Sequence, residues 1–217
     1  AEFLPIIGAE CVYEYRNKLE FTFSNKRWLS EEEINSNEQI DDRDGVGFHR
    51  PGAFDKVIDI HKCLLQADPS NEIRQRVREL AKDYALPFYD IRQNKGVLRN
   101  LVIRTSTLGQ VMVILIVKKR VSEVDRLLED MIREFPSITS LFLVINSKVN
   151  DMWIDQPMVH IHGGEYLEEK LGDVHFKINP KSFFQTNTRQ AELLYDTVVD
   201  FADFKGDEKV VDLYTGI

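Results

Sequence analysis

From Tyr15 to Ser24 the side chains alternate. Tyr15, Asn17, Leu19, Phe21 and Phe23 fall on one side, and Arg16, Lys18, Glu20, Thr22 and Ser24 on the other. A period of two predicts a strand with one face on a core and a charged face outward. The acidic stretch after Trp28 has no periodicity and reads as a surface loop. "GVGFH" and "KVIDIHKCLL" read as the next two strands, turning at Pro51-Gly52. "DPSNEIRQRVRELAKDYA" shifts to a helical period. Ile73, Val77, Leu80 and Ala81 form its apolar stripe, with Asp68 as cap and Pro69 at the first helical position.

"VLRNLVIRTS" and "GQVMVILIV" predict two strands around a turn near Leu108-Gly109. A second helix opens at Ser122, with Asp125 placed for a capping box and a stripe of Val124, Leu127, Leu128, Met131 and Ile132; Pro136 stops it. "SLFLVIN" and short β segments ending in "VHFKI" follow. This order predicts an α+β domain with a mainly antiparallel sheet over residues 1–178. Residues 179–217 then change character. Asn187 can cap a helix carrying Ala191, Leu194, Tyr195, Val198 and Ala202, and "EKVVDLY" reads as a buried strand entering Thr215-Gly216. Helix, strand and glycine turn are how a Rossmann-like α/β domain begins.

Composition narrows the class. The chain has 217 residues, 43% hydrophobic and 29% charged, an ordinary globular balance. Its two cysteines, Cys11 and Cys63, make no disulfide framework, so a cytoplasmic setting is expected. No apolar run approaches the roughly 18 residues of a membrane span, and "AEFLPIIGAE" has no secretion-signal pattern. The net charge of −8 argues against a nucleic-acid partner on charge alone. That charge is segregated, however. The stretch Arg16 to Arg27 is basic, and the acids of Glu31 to Asp44 offset it only in the sum.

Two stretches carry candidate chemistry. "KSFFQTN" sets Phe183 and Phe184 beside Gln185 and Asn187: rings offer a stacking face, and an amide pairs with a heterocycle edge. "DLYTG" puts Asp212 and Gly216 where a glycine after a strand lets backbone approach a ligand. Taken separately, each reads equally as core, cap or turn. Arg16 and Lys18 are candidates for phosphate contact or an ordinary solvated strand face; Arg99 and Arg104 are weaker candidates of the same kind. His160 and His162 lack a third ligand at metal spacing.

Together, "FKINPKSFFQTNTRQAELLY" and the following "DLYTG" resemble the S-adenosylmethionine-dependent RNA uracil-5-methyltransferases, which make 5-methyluridine in 23S rRNA or tRNA. "YRNKLEFTFS", "GFHRPGAFDKVIDIHKC" and "LRNLVIR" extend the likeness over almost the whole chain. The resemblance implies a central α+β domain followed by the opening helix and strand of the methyltransferase domain. It implies Gln185, Phe183, Asp212 and Gly216 at the cofactor and substrate pocket, and RNA, with 23S rRNA favoured over tRNA, as partner. In the family a cysteine thiolate adds to C6 of a flipped-out uracil, C5 takes the methyl group, and a base removes the C5 proton. The nucleophilic cysteine and the base lie downstream of "DLYTG", so both are expected beyond Ile217. The 217 residues are therefore expected to be an inactive piece, its last strand left without neighbours. Some ribosomal members bind a [4Fe-4S] cluster through four cysteines. "DIHKC" places Cys63 as the fourth in an intact protein; in this chain it is expected to be a free, part-buried thiol. A non-catalytic RNA-binding or assembly module is the alternative.

Overall fold

The computed structural model describes residues 3–36 and 38–213. Among the described residues nine strands form: β1 (Lys18–Ser24), β2 (Gly45–Arg50), β3 (Ala53–Asp59), β4 (Leu98–Thr105), β5 (Val111–Val117), β6 (Ile138–Ile145), β7 (Met158–Gly163), β8 (Leu167–Leu171) and β9 (Val174–Ile178). Four helices accompany them: α1 (Glu31–Asn35), α2 (Ser70–Asp83), α3 (Ser122–Glu134) and α4 (Thr188–Ala202). The first seven strands make one sheet in the order β3-β2-β1-β4-β5-β6-β7, and β8-β9 pair as a separate hairpin. Neighbours run antiparallel except β5 and β6, which α3 joins as a parallel crossover. The mostly antiparallel sheet agrees with the sheet expected from the sequence.

The continuous apolar run of β5 has a direct cause. Val111, Val113, Leu115 and Val117 face a core shared with Ile73, Val77 and Leu80 of α2 and Leu127, Leu128 and Met131 of α3. Met112, Ile114 and Ile116 face a second cluster with Trp153, Leu167 and Ile178. A strand covered on both faces needs no polar register.

Several local expectations are corrected. The acidic stretch contains α1, a short helix with no buried residue. Ser30 and Glu33 close a capping box at its start, and Arg27 pairs with Glu33 at 2.5 Å. Asp68 does not cap α2: Pro69 holds the cap position without a side-chain bond, and the helix starts at Ser70. Asp125 does not cap α3, because Arg120 takes its carboxylate at 2.7 Å. The outer face of β1 is not simply solvated: Glu20 accepts from Trp153 Nε1 at 3.2 Å, and Lys18 Nζ lies 5.9 Å from the same ring. Residues 207–213 form no strand, and Val210, Val211 and Leu213 are exposed. No described strand pairs with this stretch, and an unpaired strand is not stable alone. Tyr214, Thr215 and Gly216 lie outside the described residues.

Arg99 and Arg104 are not surface cations. Both are buried, at 1% and 4% exposure. Arg99 Nη2 donates to Asn150 O at 2.7 Å and Asp151 Oδ1 at 2.8 Å, and Nη1 to Asn146 O at 2.8 Å. It ties down the 146–151 loop and is withheld from phosphate. Among the described residues no helix is long and apolar enough to cross a membrane.

Candidate functional site

β9 ends at the buried Ile178, and the chain then turns through 179–182, where Ser182 N donates to Asn179 O at 3.0 Å. Arg104 holds this turn from below. Its Nη1 donates to Asn179 O at 3.3 Å and its Nη2 to Ser182 O. Burial pulls the guanidinium pKa down to about 10. The next two residues diverge. Phe184 packs edge-on against Phe176, with ring centres 5.6 Å apart, within the second cluster. Phe183 projects outward and is 68% exposed. A large ring at that exposure offers its face to a planar partner at no cost in packing.

Gln185 is half-buried and its backbone carbonyl accepts from Asn17 Nδ2 at 2.8 Å. Two residues on, Asn187 Oδ1 accepts from Gln190 N at 3.1 Å and caps α4. The cap accounts for Asn187 without a ligand. Gln185, Gln190, Ala191, Leu194 and Ile7 line a groove of about 310 Å³. Its mix of amide and apolar walls, at the start of a 15-residue helix, suits part of a polar heterocyclic ligand. Gln185 therefore fits one wall of an S-adenosylmethionine site. Phe183 does not line this groove. Asp212 lies in exposed chain after α4, and Gly216 is outside the described residues.

A larger groove of about 780 Å³ runs between residues 8–17, the 105–110 turn and the start of α4, with Arg16 and Glu169 on its walls. Arg16 is partly exposed there, its Nε 3.5 Å from Lys18 O. Lys18 is less available. Burial, with Arg104 nearby, lowers its pKa below the usual lysine value.

Cys63 is buried in the main core, at 6% exposure. Its backbone N–H donates to Asn71 Oδ1 at 2.7 Å, and its carbonyl accepts from Asn71 Nδ2 at 3.1 Å. Among the described residues no three His, Cys, Asp or Glu side chains gather to hold a metal. Cys63 is a free thiol enclosed by that core.

Sequence reasoning missed Asn17, Thr188 and Glu169, which contact the Gln185 stretch or each other. Asn17 was read only as one position on the inner face of the first strand. Glu169 had a signal: it shares a strand face with Leu167 and Leu171, a carboxylate in an apolar register, and all three are buried.

No protein-family model matches the chain. Similarity to known proteins nevertheless bears out the resemblance in its sequence: the chain is a relative of RNA methyltransferases. It is 47% identical over 224 residues to an uncharacterized RNA methyltransferase of Porphyromonas gingivalis, and 46% identical over 219 residues to one of Bacteroides thetaiotaomicron. Each match covers 99% of the chain but 48% of the relative, so the chain spans about half the length of these proteins. Among solved structures, the fold is similar to the Pyrococcus abyssi tRNA (uracil-54, C5)-methyltransferase in complex with S-adenosyl-L-homocysteine. The TM-score is 0.65 at 25% identity, over 88% of this chain and 42% of that one.

Proposed function

We propose that these residues are part of an S-adenosylmethionine-dependent RNA (uracil-5-)-methyltransferase of the cytoplasm. Residues 1–178 form its central domain and 179–217 open its cofactor-binding domain. The observation that carries this is the similarity to a uracil-C5 methyltransferase over 88% of the chain. The Gln185 groove supports it. S-adenosylmethionine, when bound, supplies an electrophilic methyl group. Gln185 holds one wall of its site, exposed Phe183 offers a stacking face to the target base, and Asp212 and Gly216 complete the cofactor motif. Arg16 contacts RNA phosphate, with Lys18 in a lesser role because of its burial. The nucleophilic cysteine and the base that removes the C5 proton are supplied by residues beyond these 217, so the 217-residue chain alone is inactive.

The favoured RNA is 23S rRNA, on the position of Cys63 relative to the ribosomal members of the family. Transfer RNA is the second reading, favoured by the Pyrococcus neighbour, which acts on it. The test incubates the full-length protein with methyl-labelled S-adenosylmethionine and unmodified 23S rRNA or tRNA, then identifies the labelled nucleoside. Label in 5-methyluridine is expected from the full-length protein and not from the 217-residue chain, and the RNA that takes it decides the substrate. Gln185→Ala in the full-length protein is expected to lower kcat/KM at least about tenfold. Label in another nucleoside, or none in either RNA, would remove the uracil assignment.

A further inference from the structure

Gln185 sits in a stretch without regular structure, between the 179–182 turn and α4. A ligand-binding side chain must be held to within about 0.5 Å, and a free loop does not do that. The hold comes from the far end of the sequence. Asn17, immediately before β1, donates its N–H to Thr186 O at 2.8 Å. Its Nδ2 donates both to Gln185 O and to Thr188 Oγ1, each at 2.8 Å. Asn17 is itself fixed, since its carbonyl accepts from Thr105 N at 2.9 Å at the end of β4.

Thr188 passes the bond on. Its hydroxyl donates to Glu169 Oε2 at 3.0 Å. Glu169 is fully buried on β8. Its other donors are Thr107 N at 3.1 Å, the Thr107 hydroxyl, and Lys170 N at 2.9 Å. The polarity of the chain is determined from this end. The Thr188 hydroxyl donates to Glu169 Oε2, so its proton points to Glu169. The Thr188 oxygen then has lone pairs left, and Asn17 must present its NH₂ rather than its carbonyl. The second hydrogen of that NH₂ falls on Gln185 O. A flipped amide would set three acceptor oxygens against one another in a half-buried site.

We infer that Glu169, Thr188 and Asn17 form a positioning relay that sets Gln185 in the cofactor groove; this rests on the methyltransferase function proposed above. None of the three lines the 310 Å³ groove, where they act through Gln185, although all three lie on the wall of the 780 Å³ groove beside it. Because they hold a binding residue, the relay acts on cofactor affinity and not on the chemical step.

The test is steady-state methyl transfer by the full-length protein at saturating RNA, with S-adenosylmethionine varied. Thr188→Val keeps the shape and removes the hydroxyl. It is expected to raise KM for S-adenosylmethionine about tenfold with kcat within about twofold of wild type. Thr188→Ser restores the hydroxyl and is expected to return KM to within about twofold of wild type. Asn17→Asp, which replaces the donating NH₂ by an oxygen facing Gln185 O, is expected to repeat the effect of Thr188→Val and serves in its place if that variant does not fold. A purely structural role would lower kcat through the active fraction and leave KM unchanged, and that result overturns the relay. So does a Ser variant as impaired as Val. Wild-type protein that neither binds nor uses S-adenosylmethionine overturns the methyltransferase function together with the relay. Active wild type with unaltered variants overturns the relay alone.

Discussion

Single residues in this chain carry opposite electrostatic consequences. Glu20 is held under Trp153, and burial is the largest cause of a pKa raised above its ordinary 4.5. The folded state therefore holds the proton more tightly than the unfolded state. The stabilisation is fully present below the unfolded pKa and is lost as pH rises through the folded one. Glu20→Gln keeps an oxygen for Trp153 Nε1 and removes the charge. It is expected to raise the thermal midpoint at neutral pH, with the gain vanishing below pH 4.5 in melts across that range. Arg99 is the reverse case, a buried cation that must stay. Arg99→Met strands the carbonyls of Asn146 and Asn150 and is expected to cost about 3 kcal/mol, read from the urea midpoint. The sequence did not reveal this burial: in "LRNLVIRT" Arg99 and Arg104 each stand between an apolar and a polar residue, where a surface strand face reads the same way. Nor did it reveal the relay, because Asn17 meets Gln185 and Thr188 across sequence separations of 168 and 171. Gln185 was legible as an amide beside an aromatic pair, but its place at a cofactor pocket came only from the family resemblance.

At the scale of elements, periodicity located what packing enforces. The strands β4 to β6 and the stripes of α2 and α3 stand where the apolar patterns put them, since each buries that pattern against a partner. Elements held by local polar bonds were harder to read. The short α1 has no apolar stripe, and the caps of α2 and α3 depend on rotamers and on a competing arginine. α4 shows the remaining case. It formed as expected, yet of its residues only Thr188 and Ala191 are buried, while Tyr195, Val198 and Phe201 stand exposed. Under the proposed function the rest of the methyltransferase domain covers this face. Val198→Ser is therefore expected to change the stability of the 217-residue chain by less than about 0.5 kcal/mol. In the full-length protein it should cost about 1–2 kcal/mol, since a buried branched side chain is lost. Equal effects in parallel chemical denaturation of the two proteins would refute that cover.

Across the whole molecule, one sheet holds two apolar layers together, and its centre and ends differ sharply in support. Hydrogen exchange is expected to be slowest in β4, β5 and β6 and at least about tenfold faster in residues 203–213. The strand order carries a further, kinetic consequence. β4, β5, α3 and β6 follow one another in sequence and pack side by side. β1, by contrast, must close on β4 by pairing Lys18 with Arg104 and Thr22 with Asn100. That joins segments about eighty residues apart, and such a loop loses its entropy before any pairing repays it. The central strands β4, β5 and β6 should therefore assemble first, with the N-terminal meander docking late. Ile114→Val is then expected to slow refolding, whereas Leu19→Ala mainly speeds unfolding, a split that stopped-flow measurements on both variants would resolve. In that order the Asn17 contacts to the Gln185 stretch are among the last to close, so the candidate ligand groove takes its final shape only when the sheet is complete.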